Sequence, residues 1–424
     1  MARQIVPVLA LLLSTAFLLA ANGMHSLLLP LRGSAEGFTT AELGLIGPGW
    51  ATGFILGCLT APIVVRRVGH IRAFACSAAF ASIIRLLNAL VVLPLPWIFL
   101  RAGSGFFIAG AFMIIESWLN ERVTNESRGT VFAIYLMVTY LGITAGQLGV
   151  GFGDPSTPTL FMLGAILFSL AILPTALSTA ASPRPLTRVR LDLRKLFQNS
   201  PVAFLTVFLV GIINGAFGTL AAVWGTRIGL STQLVALMMA MTVVSGAVTQ
   251  LPAGRISDRT DRRYVIAGAA ILAALVGFTI AALRPTEPWL VLTLVGCYGA
   301  LTYPIYGLAV AHANDYAEAS EFVAVAGGLL LLYGAGTMFG LLAAGAAMTE
   351  LGPESLFLVT AASHVAIAAY AIYRTYKRAP IPGSVRESYQ TVPSPRETTP
   401  ETAALDPRAE DSTVLDRDMQ SAVK

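Results

Sequence analysis

The sequence predicts an all-α polytopic membrane protein with twelve transmembrane helices in two six-helix repeats. First, the 424 residues are 55% hydrophobic and 12% charged, with a mean hydropathy of +0.72, whereas soluble domains are about 25% charged. Second, twelve apolar runs each reach the roughly 20 residues that a helix needs to cross a bilayer. Third, the two sets of six runs repeat at a nearly constant offset along the chain.

The runs predict four parts of the chain: a six-helix bundle in residues 1–178, a basic linker in 179–200, a second bundle in 201–376 and a tail in 377–424. The predicted spans are 5–28, 41–65, 71–93, 97–119, 129–152 and 157–178, then 202–224, 232–254, 264–283, 288–311, 322–346 and 354–376. The tail is rich in Pro, Ser, Thr and charge. It has too little apolar surface to form a core, so we expect it to be disordered.

Lys and Arg are distributed unequally between the two sets of loops, and this predicts the orientation. One set, with the linker, holds Arg66, Arg67, Arg72, Arg122, Arg128, Arg184, Arg188, Arg190, Arg194, Lys195, Arg255, Arg259, Arg262 and Arg263. The other set holds Arg32, Arg227 and Arg284, with Arg101 at an edge. Since cytoplasmic loops are the richer in Lys and Arg, both termini are predicted to be cytoplasmic. The loop at 312–321 is an exception, because it is acidic and lacks both residue types.

Matching residues recur in the two bundles. Asn22 and Asn214 are 192 positions apart, and so are Arg67 and Arg259. Asn120 and Asn314, and the pairs Gly142/Gly146 and Gly336/Gly340, are separated by 194. Bundles that repeat in the same orientation are typical of transporters whose site lies between the halves near the midplane. The paired glycines have a small-xxx-small spacing, which predicts close helix packing.

A charged stretch after the eighth run carries the first family resemblance. Gly254, Asp258, Arg259, Arg262 and Arg263 match the loop signature G-x-x-x-D-R-x-G-R-R, while Asp261 stands at its glycine. After the second run, Arg67 and Gly69 match, but Arg66 replaces the aspartate and Pro62 the first glycine. With these signatures, residues 5–376 resemble the major facilitator superfamily.

Further stretches extend the resemblance. Arg101 with Gly105 resembles the signature that opens the fourth helix, and Arg128-Gly129 resembles another before the fifth. The stretches Glu116-Ser-Trp-Leu-Asn120 and Gly328–Gly334 resemble the YcaD-type bacterial branch. The resemblance implies secondary transport by alternating access. It also implies that the helices of Asn22 and Asn214 line the cavity, and that Arg101 takes part in proton coupling.

The charged stretch predicts a gate at the cytoplasmic face. Asp258 stands near a helix end, where an ion pair and the helix dipole both act on it; a solvated positive loop is the alternative. In the first copy, Arg66 and Arg67 cannot form such a pair alone. We expect Glu116 or Glu121 to supply the carboxylate, although Glu116 could equally be a cap at the cytoplasmic face.

Polar residues within the runs are candidates for a solute or proton pathway. Arg85 and Arg101 either face a cavity for an anionic solute or extend to the headgroups, because a buried arginine is costly in lipid. Asn22 and Asn214 either bind solute or join helices. His25 either carries a proton or is only in contact with water at the end of its helix. Tyr303 and Tyr306 flank Pro304, which predicts a kinked cavity wall or interfacial aromatic packing.

Several functional classes are not supported by the sequence. It has no Walker motif, HExxH motif or paired CxxC motifs, and its three cysteines lie in apolar runs, so we expect neither an enzyme nor a metal or other cofactor. The net charge of +5 is scattered, which does not indicate nucleic-acid binding. We therefore expect a monomeric, multi-pass transporter of the inner or plasma membrane, moving a small solute with coupling to protons. A receptor or scaffold on the same fold is the alternative.

Overall fold

The computed structural model describes residues 8–123, 125–177, 192–382, 386 and 388–406, with only the backbone described for Asn125, Glu126 and Ala319. Within these residues, twelve helices are long and apolar enough to cross a membrane, which confirms the predicted number. We number these twelve helices α1 to α12 in chain order.

The helices extend a few residues beyond most of the apolar runs. The first six are α1 Leu9–Ala35, α2 Thr40–Val68, α3 His70–Leu90, α4 Pro94–Arg122, α5 Asn125–Val150 and α6 Thr159–Ala176. The second six are α7 Pro201–Arg227, α8 Thr232–Arg259, α9 Arg262–Leu283, α10 Pro288–Asn314, α11 Phe322–Glu350 and α12 Ser355–Lys377. A short linker helix covers Leu193–Asn199, and 3-10 turns cover Ala319–Glu321 and Pro400–Leu405. Residues 179–191 of the predicted linker lie outside the described residues.

The repeat extends to the helix caps. Thr39 begins α2 by accepting a hydrogen bond from the Glu42 amide, and Glu42 closes a capping box. Ser231, 192 positions later, begins α8 in the same way by accepting from the Leu234 amide. Hydroxyl caps of this kind satisfy amides that have no partner within the helix.

The paired glycines are packing sites, as predicted. A methyl group added at Gly146 would collide with the Ala20 carbonyl of α1, and one at Gly340 would collide with the Ile212 carbonyl of α7. Ala20 and Ile212 are themselves 192 apart, so the same close helix approach occurs once in each half. Helices in lipid associate through small residues that allow this approach.

A hydrogen bond and a close backbone contact join the two halves at one end of the molecule. We call the end that carries the α2–α3 and α8–α9 turns the tail face, since α12 also ends there, and the opposite end the far face. At the far face, Arg227 of α7 donates to the Thr40 hydroxyl of α2 at 2.7 Å. There, a methyl group added at Gly345 of α11 would lie 3.0 Å from the Thr40 carbonyl. These contacts join the halves at the far face.

The carboxyl-terminal tail differs from its prediction. Residues 388–406, here called the tail segment, do not extend away from the protein but lie between the halves at the tail face. Thr399 and Leu405 are each 1% exposed. The segment is too polar to form a core of its own. It becomes ordered by hydrogen bonding to polar groups inside the bundle, whereas the prediction of disorder rested on the composition of the tail alone.

Candidate functional site

A cavity of about 60 Å³ lies between the halves, on the inner side of the tail segment. Helices of both halves line it. Their polar lining includes Asn22, Arg101, Tyr140 and Gln147 from the first half and Tyr303 and Thr337 from the second. The structure therefore brings together Asn22, Arg101 and Tyr303 from the predicted pathway residues, as parallel repeats with a shared site require.

Arg101 provides the cavity with a cation. Among the described helix residues that line this cavity, it is the only one with a formal charge. Its guanidinium carbon lies 5.9 Å from the centroid of the Trp50 ring, which is cation–π range. Its buried Nη1 has no hydrogen-bond partner within the described part of the chain. An anionic or carbonyl-rich ligand could satisfy this group.

Of the other predicted pathway residues, Asn22 lines the cavity, whereas Asn214 and Tyr306 neighbour the tail segment. Asn22 is 5% exposed, and its Oδ1 has no partner among the residues described. Asn214 contributes its carbonyl, which accepts from Arg396 of the tail segment at 2.9 Å. Tyr306 packs on Tyr333 with ring centroids 6.1 Å apart, beside the tail segment and farther from Arg101.

Glu116 is fully buried and bonds to hydroxyl groups. Its carboxylate accepts from Tyr135 of α5 at 2.8 Å, from Thr402 at 2.6 Å and from Thr399. These partners do not include Arg66 or Arg67, for which we expected Glu116 or Glu121 to supply the missing carboxylate. Both arginines are exposed at the tail face, where Arg66 Nε donates to the Pro62 carbonyl at 3.2 Å.

His25 and Arg85 are not among the residues that line the cavity, and they lie inside the amino-terminal half. Arg85 is 0% exposed, so it does not extend to the headgroups. Its guanidinium lies 4.2 Å from the Phe168 ring centroid and donates to the Ala81 carbonyl. His25 is 1% exposed and packs edge-on against Phe161. A place in the solute pathway, which the sequence suggested for both, is therefore not seen in this arrangement.

The charged stretch forms a buried cluster within the carboxyl-terminal half. Arg262 is 1% exposed and donates to Asp315 through Nε at 2.7 Å and Nη2 at 3.3 Å. Its Nη1 donates to Asp258 at 3.0 Å and to Ser257 at 2.9 Å. The acidic loop at 312–321 is thereby explained, since Asp315 is the partner of Arg262. Gly254 and Arg259 stand on α8 beside this cluster, with Arg259 exposed.

The departure at the signature glycine also has a structural reason. In the first copy Gly69 separates α2 from α3 with a φ of +82°, which favours glycine. In the second copy Asp261 has a φ of −67° and caps α9 through the Arg263 amide. Burial opposes ionisation of Asp261, but bonds from Arg263 dominate and lower its pKa. Arg263 also donates to the carbonyls of Arg374 and Arg378, which anchors the end of α12.

Several residues of the site were missed from the sequence. Gln250 of α8 donates to the Tyr140 hydroxyl of α5 at 2.6 Å and so joins the halves. Gln147 and Gln250 could have been noticed as amides within apolar runs. Arg396 and Glu397, which also line the cavity, could not, because they belong to a segment with the composition of a disordered tail.

Comparisons with known proteins agree with this architecture. A family model described as Major Facilitator Superfamily matches residues 11–329 and 235–409. An uncharacterized MFS-type transporter of Yersinia pestis (strain Pestoides F) is 27% identical over 368 residues, covering 84% of this chain and 92% of the relative. The uncharacterized MFS-type transporter YcaD of Salmonella heidelberg is 26% identical over 363 residues, with the same coverage.

Solved structures show the same fold at low identity. The nucleoside transporter NupG superposes with a TM-score of 0.71 at 15% identity, covering 87% of this chain and 98% of that one. A D-xylose-proton symporter superposes with a TM-score of 0.66 at 14% identity, covering 87% and 96%. At these identities the likeness is one of fold alone.

Proposed function

This chain belongs to the major facilitator superfamily, and on that premise we propose that it moves a small polar solute through the cavity between its halves by alternating access. Membership in this family and likeness to solved transporters support secondary transport across a membrane. The chain is a multi-pass membrane protein with twelve apolar spans in its described part.

The observation that carries the proposal is the position of Arg101 in the central cavity. Its Nη1 has no hydrogen-bond partner among the described residues, and of the helix residues that line the cavity none carries a carboxylate; the charges Arg396 and Glu397 come from the tail segment. A buried cation without a carboxylate partner is costly, so a ligand that brings a negative group or several acceptors binds favourably. We therefore infer a solute with a carboxylate, a phosphate or clustered carbonyl oxygens.

The charged stretch supports a switching role for the tail face. Its bonds lie within one half, since Arg262 and Asp258 pair with each other and with the α10 end. We propose that the halves, joined at the far face, are separated at the cytoplasmic face with the tail segment between them; the positive-inside bias is the reason for taking the tail face as cytoplasmic. We also propose that transport is coupled to protons, and the family resemblance favours Arg101 as the residue that takes part in this coupling.

The test is a thermal-shift screen of the purified full chain against anionic, neutral and cationic solutes at two pH values, because a ligand of the folded state raises its stability. Solutes that bind are then assayed for uptake into proteoliposomes, with and without a pH gradient. We expect Arg101→Gln to weaken binding about tenfold or more, as loss of a charged hydrogen bond does.

Arg72→Gln is the matched control, since it removes the same charge from an exposed position at the tail face. It should bind solute like the parent. If Arg101→Gln and Arg72→Gln bind each solute equally well, the cavity assignment is wrong. If no solute class binds or is transported while a protein partner is captured specifically, the receptor alternative replaces the proposal.

A further inference from the structure

We propose that the passage between the halves is a peptide-binding site whose occupant is the chain's own tail segment, residues 388–406, and that this occupied state blocks solute passage. The blocking rests on the proposed transport function, whereas the binding does not. The tail segment lies between the central cavity and the tail face, and its Arg396 and Glu397 form part of the cavity wall.

The segment is held at three levels. Nearest the tail face, the Tyr389 amide donates to both oxygens of Asp258, at 2.8 and 3.0 Å. Deeper, the Tyr140 hydroxyl donates to the Val392 carbonyl at 3.1 Å. At the cavity, Arg396 donates to the carbonyls of Asn214 and Gly215 at 2.9 and 3.3 Å. Both halves therefore hold the same peptide.

The Glu116 group is the most specific part of the peptide site. Thr399 and Thr402 both donate to this one carboxylate, which also accepts from Tyr135. The Thr399 amide in turn donates to the Thr402 hydroxyl at 3.1 Å, so the peptide turn presents both hydroxyls together. A buried carboxylate needs such donors. Among the described helix residues only Tyr135 donates to Glu116, so the other two donors come from the tail segment.

Tethering favours this binding. α12 ends at Lys377, and Arg378 is fixed there by donating to the Asn199 carbonyl at 2.8 Å. Only about ten residues separate this anchor from Tyr389. A short tether produces an effective concentration on the order of millimolar, so even a weak peptide site is filled.

Two acidic residues make the docking sensitive to pH. Glu397 is 8% exposed and its Oε2 has no hydrogen-bond partner among the described residues, while Glu401 is half-buried. Burial raises the pKa of both carboxyls to about 7. The titratable and charged groups that face them are Arg396, Tyr135, Tyr140, Tyr303 and Tyr333 for Glu397, and Glu116 and Cys58 for Glu401. A carboxyl whose pKa is raised on docking binds protons more tightly when docked. Docking is therefore strongest in acid and weakens as the pH rises towards 7.

The test uses the full chain with Cys58, Cys76 and Cys297 replaced by serine and one reporter, Thr219→Cys, at the cavity wall. A membrane-impermeant methanethiosulfonate is applied from the tail face, and the rate of labelling is measured. We expect the double variant Thr399→Val and Thr402→Val to be labelled on the order of a hundredfold faster, because it loses two hydrogen bonds to a carboxylate.

Thr398→Val is the matched control. The Thr398 hydroxyl is buried but makes no hydrogen bond to any described residue, so this change should leave the labelling rate unaltered. Arg396→Ala is a second, independent variant that loses the bonds to Asn214 and Gly215, and it too should be labelled faster. Equal rates in the parent, the double variant and Arg396→Ala would overturn the proposal.

The two proposals fail separately. If the variants label faster but none of them transports a solute, the peptide site stands and the transport function fails. If the parent transports solute while labelling is insensitive to the tail, the transport function stands and the peptide site fails.

Discussion

The ion pair between Arg262 and Asp315 predicts that replacing Asp315 lowers the stability of the folded protein. Asp315 caps the carboxyl end of α10, where the helix dipole disfavours a negative charge. Its side chain is 3% exposed, and Arg262, at 1%, contacts both of its oxygens. The change Asp315→Asn removes the charge while keeping the shape, and it deprives a buried arginine of the carboxylate that contacts it through two oxygens.

The expected cost follows from burial. Breaking a buried pair by removing one partner costs about 3–5 kcal/mol, and the remaining bond to Asp258, which is 31% exposed, offsets only part of it. The assay is thermal unfolding of the detergent-purified protein, followed by tryptophan fluorescence. Asp315→Asn should lower the midpoint clearly, and adding Arg262→Gln should restore part of the loss.

Glu318→Gln is the matched control for Asp315→Asn. It makes the same chemical change three residues later, at an exposed site in the same loop. Surface substitutions of this kind usually alter stability by no more than about 0.5 kcal/mol. Equal midpoints for Asp315→Asn and Glu318→Gln, or strict additivity of the two changes at 262 and 315, would refute the reasoning.

Two further predictions concern the switch and the tail. In the Thr399→Val and Thr402→Val background, where the tail no longer blocks the passage, Asp258→Asn should lower transport in vesicles while the protein still inserts and folds, because a partly exposed ion pair is lost; uptake equal to that of the background would contradict the gate. Labelling rates are divided by that of a free thiol at the same pH, because the reacting thiolate itself becomes more abundant as the pH rises. This relative rate of the Thr219→Cys reporter should quicken as the pH rises from about 5 to 7, by up to about tenfold per pH unit for each carboxyl that is buried on docking. The double change Glu397→Gln and Glu401→Gln should remove the dependence of the relative rate on pH, and a slope that persists in it would exclude these groups as the cause.

Much of the fold was predictable because its signals are local or periodic. A run of about 20 apolar residues must form a helix across the bilayer, since no other structure there satisfies its backbone. The offset of 192 between Asn22 and Asn214 predicted the two halves. The same offset of 192 separates the two helix caps Thr39 and Ser231, as expected for repeated halves. The small-xxx-small spacing predicted the Gly146 and Gly340 contacts for the same reason.

The site was only partly predictable, because depth along a helix does not determine the direction of a side chain. Arg85 and Arg101 looked alike in sequence, yet one packs on Phe168 inside a bundle and the other lines the cavity. Glu116 was singled out from the sequence as an acid within a helix, but its partners Thr399 and Thr402 are more than 280 residues away. Nothing in the local sequence indicates such a pairing.

The sequence by itself determined the membrane environment, the twelve spans, the twofold repeat and the family, because each depends on composition, periodicity or a short motif. Only the tertiary structure decided which polar residues share the cavity, that Asp315 forms an ion pair with Arg262, and that the tail segment lies in the passage. Those outcomes depend on groups distant in the chain whose mutual hydrogen bonds offset the cost of burying them. A tail with no core of its own becomes ordered here because the bundle holds a buried carboxylate and exposed carbonyls that its hydroxyls and guanidinium can satisfy.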